Sequence, residues 1–400
     1  MTTNRRDPID VAVVGGGPAG VAAAVTLARA GRDVVLVDKA PFPRDKCCGD
    51  GVTTGAVRRY EALGLRPEEV MSWQPVRDAA LRSPGGRSYR LPLPPAAIAR
   101  RVDLDTAFVD VARAEGVKVY DGHALLGARA EDGAVVVDVD GLGALRARYA
   151  IGADGMWSPL RKALRPERST PGGRYLGTWH AFRQYFRNVG PDARQTMWVW
   201  FEPDVVPGYV WSFPLPEGRA NVGFGLLRGD VATGLMKEMW PRLLRRPHVA
   251  EILGSAAEPE APHKAWPIPC EADAELLSAA GGRALFAGDA ARLADPMTGE
   301  GIGQALESGT EAAMAILRAG PADPDGAARR YGAAIRRGIK LDNALARALS
   351  GVLASPRGAE RVLRIAGLTP WTRRNFSRWL LEDYPRAVVG TPWRWASDHV

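Results

Sequence analysis

Gly15-Gly-Gly-Pro-Ala-Gly20 has the G-x-G-x-x-G spacing that lets a chain wrap closely around a pyrophosphate. Gly15 permits a tight turn, Gly17 lets a phosphate approach the backbone, and Gly20 lets the following helix pack close to a sheet. Pro18 and Ala19 open that helix, whose first N–H groups and partial positive charge would face the phosphates. Asp38 lies 18 residues beyond Gly20, placed to accept from ribose hydroxyls. A carboxylate there disfavours a 2′-phosphate, so the nucleotide is FAD or NAD rather than NADP. Further along, Ala150-Ile-Gly-Ala-Asp154-Gly155 and Leu285-Phe-Ala-Gly288-Asp289-Ala290 each end an apolar run in a Gly/Asp turn. Either acid could hold a ribityl chain or fold back onto the pyrophosphate region, although turn formation alone would also explain Asp154. Asp295-Pro296-Met-Thr-Gly299-Glu-Gly301 then opens a helix patterned Ile302, Ala305, Leu306, Gly309, Ala312, Ala313, Ile316. A glycine-flanked helix N-terminus stabilises negative charge at N1 and O2 of a reduced flavin, which a nicotinamide does not require. These features select FAD.

Several elements must hold these groups. Residues 10–14 and 34–37 are short apolar runs suited to buried parallel strands, with a helix over 19–30 ended by Gly31. Residues 75–100 are Pro-rich, with turn signals at Pro84-Gly85-Gly86 and around Pro92–Pro95, and leave the first sheet. A helix over 101–116 and strands near 117–120 and 135–139 follow. Between about 175 and 270, alternating Trp, Tyr, Phe and Val predict an antiparallel sheet. Trp200, Tyr209, Trp211 and Phe213 alternate there, lining either an apolar tunnel or the ordinary inner face of the sheet. Strand, loop and helix return over 283–319, and an Arg/Ala-rich helical region follows. The expected class is α/β. Residues 1–75, 101–170 and 275–325 form a Rossmann-like FAD domain, 76–100 and 171–274 an inserted antiparallel-sheet substrate domain, and 326–400 a helical C-terminal region.

At 400 residues the chain is too long for one compact core, and 46% hydrophobic with 24% charged is ordinary globular composition. Three cysteines exclude a disulfide framework, and five scattered histidines without CxxC spacing leave no metal site. No uninterrupted apolar run is long enough to span a membrane, and the N-terminus lacks a signal-peptide pattern, so a cytoplasmic location is expected. The net charge of +8 comes from dispersed arginines with no recognition motif, which argues against nucleic acid as a partner. Arg336-Arg337, Arg373-Arg374, Trp371, Trp379, Trp393 and Trp395 could form a basic aromatic face for peripheral contact with the inner face of a membrane, or could pack against the FAD domain.

Five blocks together give the chain a wider resemblance. They are Gly15–Gly20 with Asp38-Lys39; Phe42-Pro-Arg44-Asp-Lys-Cys47-Cys48-Gly49-Asp50-Gly51; Arg101 with Leu104-Asp105; Pro207-Gly-Tyr209-Val-Trp211-Ser-Phe213-Pro214 with Asn221-Val-Gly-Phe-Gly225; and Gly288-Asp289 through Gly301. In these the chain resembles the p-hydroxybenzoate-hydroxylase-like flavoproteins, and within them the geranylgeranyl reductase family. The Cys-Gly block is especially similar to the actinobacterial branch that acts on menaquinone. The resemblance implies hydride transfer from reduced FAD to an isolated C=C bond of a prenyl chain. Electrons would come from NAD(P)H or a small redox protein that docks transiently. It also implies FAD contacts from Lys39, Arg44, Gly49 and Arg101, and places Cys48 beside the flavin, as a proton donor or simply as a small packed residue. Asp50 replaces the second glycine of the commoner Cys-Gly-Gly. Trp200, Tyr209, Trp211 and Phe213 would then line the isoprenoid tunnel. The alternative is a monooxygenase acting on an aromatic or terpenoid substrate through a C4a-hydroperoxyflavin, since the superfamily hosts both chemistries. Halogenation is disfavoured, because the Trp-x-Trp-x-Ile-Pro signature is only approximated and no lysine is suitably placed. The oligomeric state is not encoded in any motif.

Overall fold

The computed structural model describes residues 8–165, 177–227, 233–271, 276–391 and 394. The first apolar run becomes strand Ile9–Val14, paired in parallel with Val34–Asp38 on one side and Gly143–Gly152 on the other. Lys118–Asp121 and Ala284–Phe286 extend this ladder outward, also in parallel. Strands covered on both faces need apolar residues at every position, so 10–14 and 34–37 show no alternation. A hairpin, Leu125–Glu131 and Ala134–Val139, and the short Ser278–Ala279 complete eight strands.

Helix Pro18–Arg29 leaves the first strand and packs against helix Ile302–Ala319. The approach depends on small residues, because a Cβ at Gly309 would fall 2.0 Å from the Ala19 carbonyl oxygen. The first turn of Pro18–Arg29 therefore lies against Gly309, the eighth residue of Ile302–Ala319.

A second sheet of nine strands carries the aromatic run. Trp179–Arg187, Arg219–Leu227, Tyr209–Leu215 and Met197–Trp200 are successive antiparallel neighbours, as the alternation predicts. The Pro-rich region joins this sheet as strands Gln74–Arg82 and Ser88–Ile98, closed by a turn in which Ser83 N–H donates to Arg87. Pro92, Pro94 and Pro95 sit inside Ser88–Ile98, whose outer edge is paired only at Ala97 and Ile98. An open edge asks nothing of the N–H that proline lacks. One pairing departs from the antiparallel expectation: Met197–Trp200 runs parallel to Gln74–Arg82.

The C-terminal region is helical as expected: Pro324–Arg337, Ile339–Leu353, Pro356–Ala366 and Pro370–Leu380. Three of these start with proline after a capping side chain from Asp323, Ser355 or Thr369, which fixes their first turns. Beyond Leu380 the chain folds back to the first residues of helix Ile302–Ala319, where Glu382 accepts from Gln304 and Thr53. Arg386, almost fully buried, pairs with Asp295 there. Among the described residues, no helix is long and apolar enough to cross a membrane. Trp393 and Trp395 lie outside the described residues.

Candidate functional site

A cavity of about 800 Å³ opens between the two sheets, bounded by the glycine-rich turn, the 44–49 segment, the aromatic strands and the 287–302 loop. At its nucleotide end, Gly15 has φ +106°, and a Cβ there would fall 2.2 Å from the Ala153 carbonyl oxygen. A Cβ at Gly20 would fall 1.8 Å from the Gly15 carbonyl oxygen, so Gly20 shapes the turn from behind and does not line the cavity. At Gly17 the same atom meets nothing closer than Arg44 Nη2 at 3.8 Å, which leaves room for a phosphate. Pro18 and Ala19 line the cavity where helix Pro18–Arg29 begins, and no side chain caps its free N–H groups.

Asp38 ends its strand nearly buried. Its carboxylate accepts from Gly16 N–H at 2.7 Å and Ala40 N–H at 2.9 Å. Arg44 lies 3.5 Å from Asp38 and 3.1 Å from Asp105, and Asp105 is gripped in bidentate fashion by Arg101 at 2.7 and 2.8 Å. The Arg101 charge is thus committed to Asp105 within its own helix, while the side chain still borders the cavity. Lys39 lies exposed on the rim.

Asp154 does two things. One oxygen accepts from Leu160 N–H at 2.9 Å, capping helix Pro159–Leu164, and the other is buried without a partner. Burial raises its pKa, with the Ser158 and Leu160 hydrogen bonds opposing. Gly155 and Gly288 also line the cavity, and Asp289 stands 3.3 Å from Lys46 Nζ. Gly299, Gly301 and Ile302 form the wall at the start of helix Ile302–Ala319, again without a side-chain cap. Pro296 is turned away: its carbonyl accepts from Trp179 Nε1 and Ser350 Oγ and its ring borders no part of the cavity, a correction to its expected place among the cofactor contacts.

Cys48 and Gly49 line the middle of the cavity. Burial pushes the Cys48 thiol up to about 12 and that of Cys47 to about 11, so both are protonated at neutral pH. Asp50 adopts φ +66°, a left-handed conformation that explains a glycine in the commoner motif and that Asp tolerates better than most residues. Its fully buried carboxyl accepts from Tyr185 Oη at 2.6 Å and Asn221 Nδ2 at 2.8 Å, while Oδ1 has no partner. Desolvation raises its pKa to about 6 against those two hydrogen bonds and the charges of Arg183 and Arg101. Asn221 also donates to the Cys48 carbonyl and accepts from Trp211 Nε1 at 3.0 Å, tying the cysteine turn to the aromatic sheet.

Tyr209, Trp211 and Phe213 do share the cavity face. Tyr209 Oη donates to the Thr298 carbonyl at 2.5 Å, and Trp211 stacks on Phe213 at 6.0 Å between ring centres. Gly223 makes room for this wall, since a Cβ there would lie 2.4 Å from Trp211. Trp200 does not belong to it. It pairs with Val210 rather than Trp211, so it points to the opposite face, where it is fully buried against Trp198 and the core around Phe182, Phe224 and Trp240. Both strands alternate, but the register between them decides the face.

Lys46, Trp179, Trp266 and Glu300 are among the wall residues not singled out from the sequence. The two tryptophans lie on Trp179–Arg187 and Lys264–Ile268, strands whose pairing the sequence does not reveal. Glu300 sits between two glycines of a loop already marked as functional, which was the available signal. Its pKa rises to about 8 through desolvation and the neighbouring Glu382 and Asp295, with Arg386 opposing and Asp50 adding to the rise.

The cavity fits FAD. An open glycine, two uncapped helix N-termini that both line the cavity, a buried carboxylate against the turn, and an apolar compartment beyond them match a long molecule with a charged middle and an aromatic end.

Comparison with known proteins agrees with this geometry. A family model described as an FAD binding domain matches residues 8–319. The chain is 36% identical to menaquinone reductase of Mycolicibacterium smegmatis, with 78% of each chain covered. It is 33% identical to menaquinone reductase of Mycobacterium tuberculosis over 97% of this chain and 95% of that protein. Among solved structures, a geranylgeranyl bacteriochlorophyll reductase-like protein from Thermoplasma acidophilum superposes with a TM-score of 0.79 at 21% identity, covering 97% of this chain and all of that one. The resemblance carried by the five sequence blocks therefore stands.

Proposed function

From the premise that this chain belongs to the FAD binding domain family, we propose that it reduces isolated C=C bonds of a prenyl chain, in a geranylgeranyl lipid or the tail of a menaquinone. The observation that carries this reading is the continuity of the site. One cavity runs from the Gly17 turn to a wall of Tyr209, Trp211, Phe213, Trp179 and Trp266, with the Cys48-Gly49 backbone between.

Bound and reduced, FAD supplies a hydride. The protein supplies position. Gly17 and the first N–H groups of helix Pro18–Arg29 hold the pyrophosphate, Asp38 the ribose hydroxyls, and Asp289, neutralised by Lys46, the neighbouring polar chain. The N-terminus of helix Ile302–Ala319 favours negative charge on the ring system. Trp211 and Phe213 pack near Gly49, where a Cβ would lie 3.6 Å from each, so an apolar chain against these rings passes next to the cysteine turn. An unactivated alkene has no carbonyl through which to be polarised, so alignment against such a wall is the main service the protein can render.

Electrons enter from a nicotinamide or a small redox protein that docks transiently. The bilayer supplies the substrate. Ile365, Leu368 and Trp371 are 58%, 64% and 66% exposed, and Arg361, Arg364, Arg373 and Arg374 are exposed around them. We assign this face to an anionic lipid surface. Trp379 takes no part, since its indole donates to the Arg386 carbonyl and packs inward.

The deciding experiment incubates dithionite-reduced holoenzyme anaerobically with lipid and quinone extracts, followed by mass spectrometry. A gain of two hydrogens on a prenyl chain supports the reading. Product formed only in the presence of oxygen overturns it in favour of hydroxylation or epoxidation.

A further inference from the structure

We propose that Glu300 is the acid that protonates the second alkene carbon. This inference rests on the prenyl-reductase reading and names the one reactant that reading leaves unassigned.

Saturation of a C=C bond needs a hydride at one carbon and a proton at the other. The hydride and its electron pair come from the reduced cofactor. The proton must come from a group that reaches the same compartment, is protonated at neutral pH, and is free to let go. Cys48 meets the first two conditions only. Its thiol, near 12, is too weak an acid to give up a proton readily at neutral pH.

Glu300 meets all three. It lines the cavity wall, and its Oε1 lies 3.5 Å from the position of a Cβ on Gly51, a point itself 3.8 Å from Phe213. The carboxyl thus faces the junction of the cysteine turn and the aromatic wall. Among the described residues, no hydrogen bond or ion pair restrains it, unlike the neighbouring acids. Glu382 is held by Gln304 and Thr53, Asp295 by Arg386 and the Met297 and Thr298 N–H groups, and Asp50 by Tyr185 and Asn221. Those three acids face Glu300 from the C-terminal segment, from its own loop and from the cysteine turn, with Cys48 and Tyr209 completing the surroundings. Desolvation first, and then the charge of these neighbours, outweighs Arg386 and favours the protonated form of Glu300 at neutral pH. A general acid near the working pH transfers its proton most efficiently.

The step balances. The π bond is replaced by two C–H bonds, Glu300 is left as a carboxylate, and the cofactor is oxidised by two electrons. Glu300 then regains a proton before the next turnover. A polar cavity of about 130 Å³ lies nearby, lined by Gln304, Arg59 and Arg386 together with Glu382 and Asp295, two of the acids whose charge acts on Glu300.

The test compares wild type, Glu300→Gln and Glu300→Asp as holoenzymes, with prenyl saturation followed after anaerobic reduction. Glu300→Gln should lose about a hundredfold or more in kcat, the range of general acid catalysis, with FAD affinity by fluorescence titration unchanged. Glu300→Asp should recover part of it. The wild-type kcat should fall as pH rises through about 8, and this limb should vanish in Glu300→Gln. Independently of turnover, infrared difference spectra of the FAD-free chains should show one protonated carboxylic acid at pH 7 that is lost by pH 9 and absent from Glu300→Gln. Turnover of Glu300→Gln within about threefold of wild type, or persistence of the limb, overturns the assignment and leaves the reductase reading intact. A wild type that leaves every prenyl chain unsaturated removes the reading itself, and the acid with it.

Discussion

Replacing Asp50 by Asn isolates the cost of burying one charge at the centre of the site. Asn tolerates the left-handed backbone as Asp does, keeps the shape, and leaves an oxygen to accept from Tyr185 and Asn221. What it removes is ionisation. A carboxyl whose pKa is higher folded than unfolded contributes fully to stability below its unfolded value, and loses that contribution as pH rises through its folded value. For Asp50 the window runs from 3.8 to about 6, and burial is the largest cause. At about 1.4 kcal/mol per pH unit, the full loss is about 3 kcal/mol by pH 8, of which about 1.4 kcal/mol falls between pH 5 and pH 8. The Asp50→Asn variant has no such contribution to lose. With an unfolding entropy of roughly 2.1 cal/mol/K per residue, the Tm of Asp50→Asn minus that of wild type should grow by about 2 °C over that interval. Scanning calorimetry of the FAD-free proteins at pH 5, 6, 7 and 8 reads this directly. The absolute offset between the two proteins is immaterial. A difference that stays flat, or shrinks as pH rises, would refute the view that Asp50 is charged against its surroundings.

Three further outcomes follow from the geometry. Gly17→Val should fill the open side of the turn and weaken FAD binding by about a hundredfold in a fluorescence titration while Tm stays within a few degrees, whereas Gly20→Val, aimed at the Gly15 carbonyl, should destabilise the chain itself. Trp200→Leu should cost roughly 2–4 kcal/mol of stability with the KM for a prenyl substrate unmoved, and Trp211→Leu should raise that KM severalfold; an equal effect of both on KM would contradict the face assignment. Changing Ile365, Leu368 and Trp371 together to Asp should abolish co-sedimentation with anionic vesicles, since each large apolar side chain contributes about 1.5–3 kcal/mol on burial. Unchanged sedimentation would dismiss this face.

Local signals were legible wherever one short stretch decides the chemistry. Gly15, Gly17, Gly20 and Asp38 act through a single turn and its neighbouring strand, and all fall where their spacing implies. The Gly299–Ile302 helix start is likewise encoded in one loop. The vicinal Cys47 and Cys48 carried no meaning by spacing alone. Their burial, and the bonds from Asn221 to the Cys48 carbonyl and Asp50, come from a strand more than 170 residues away. Pro296 was misplaced for a related reason: motif membership does not say which way a loop residue turns.

The amino-acid sequence by itself determined the dinucleotide turn, the two-sheet α/β architecture and the helical C-terminal region, because periodicity and glycine placement are properties of neighbours along the chain. Tertiary structure alone decided which aromatic residues line the cavity. A one-residue difference in cross-strand register sends Trp200 into the core and Trp211 into the cavity. It also decided that Glu300 keeps its proton. No property of a Gly-Glu-Gly segment raises a pKa; only folding brings Glu382, Asp295 and Asp50 around it and takes water away.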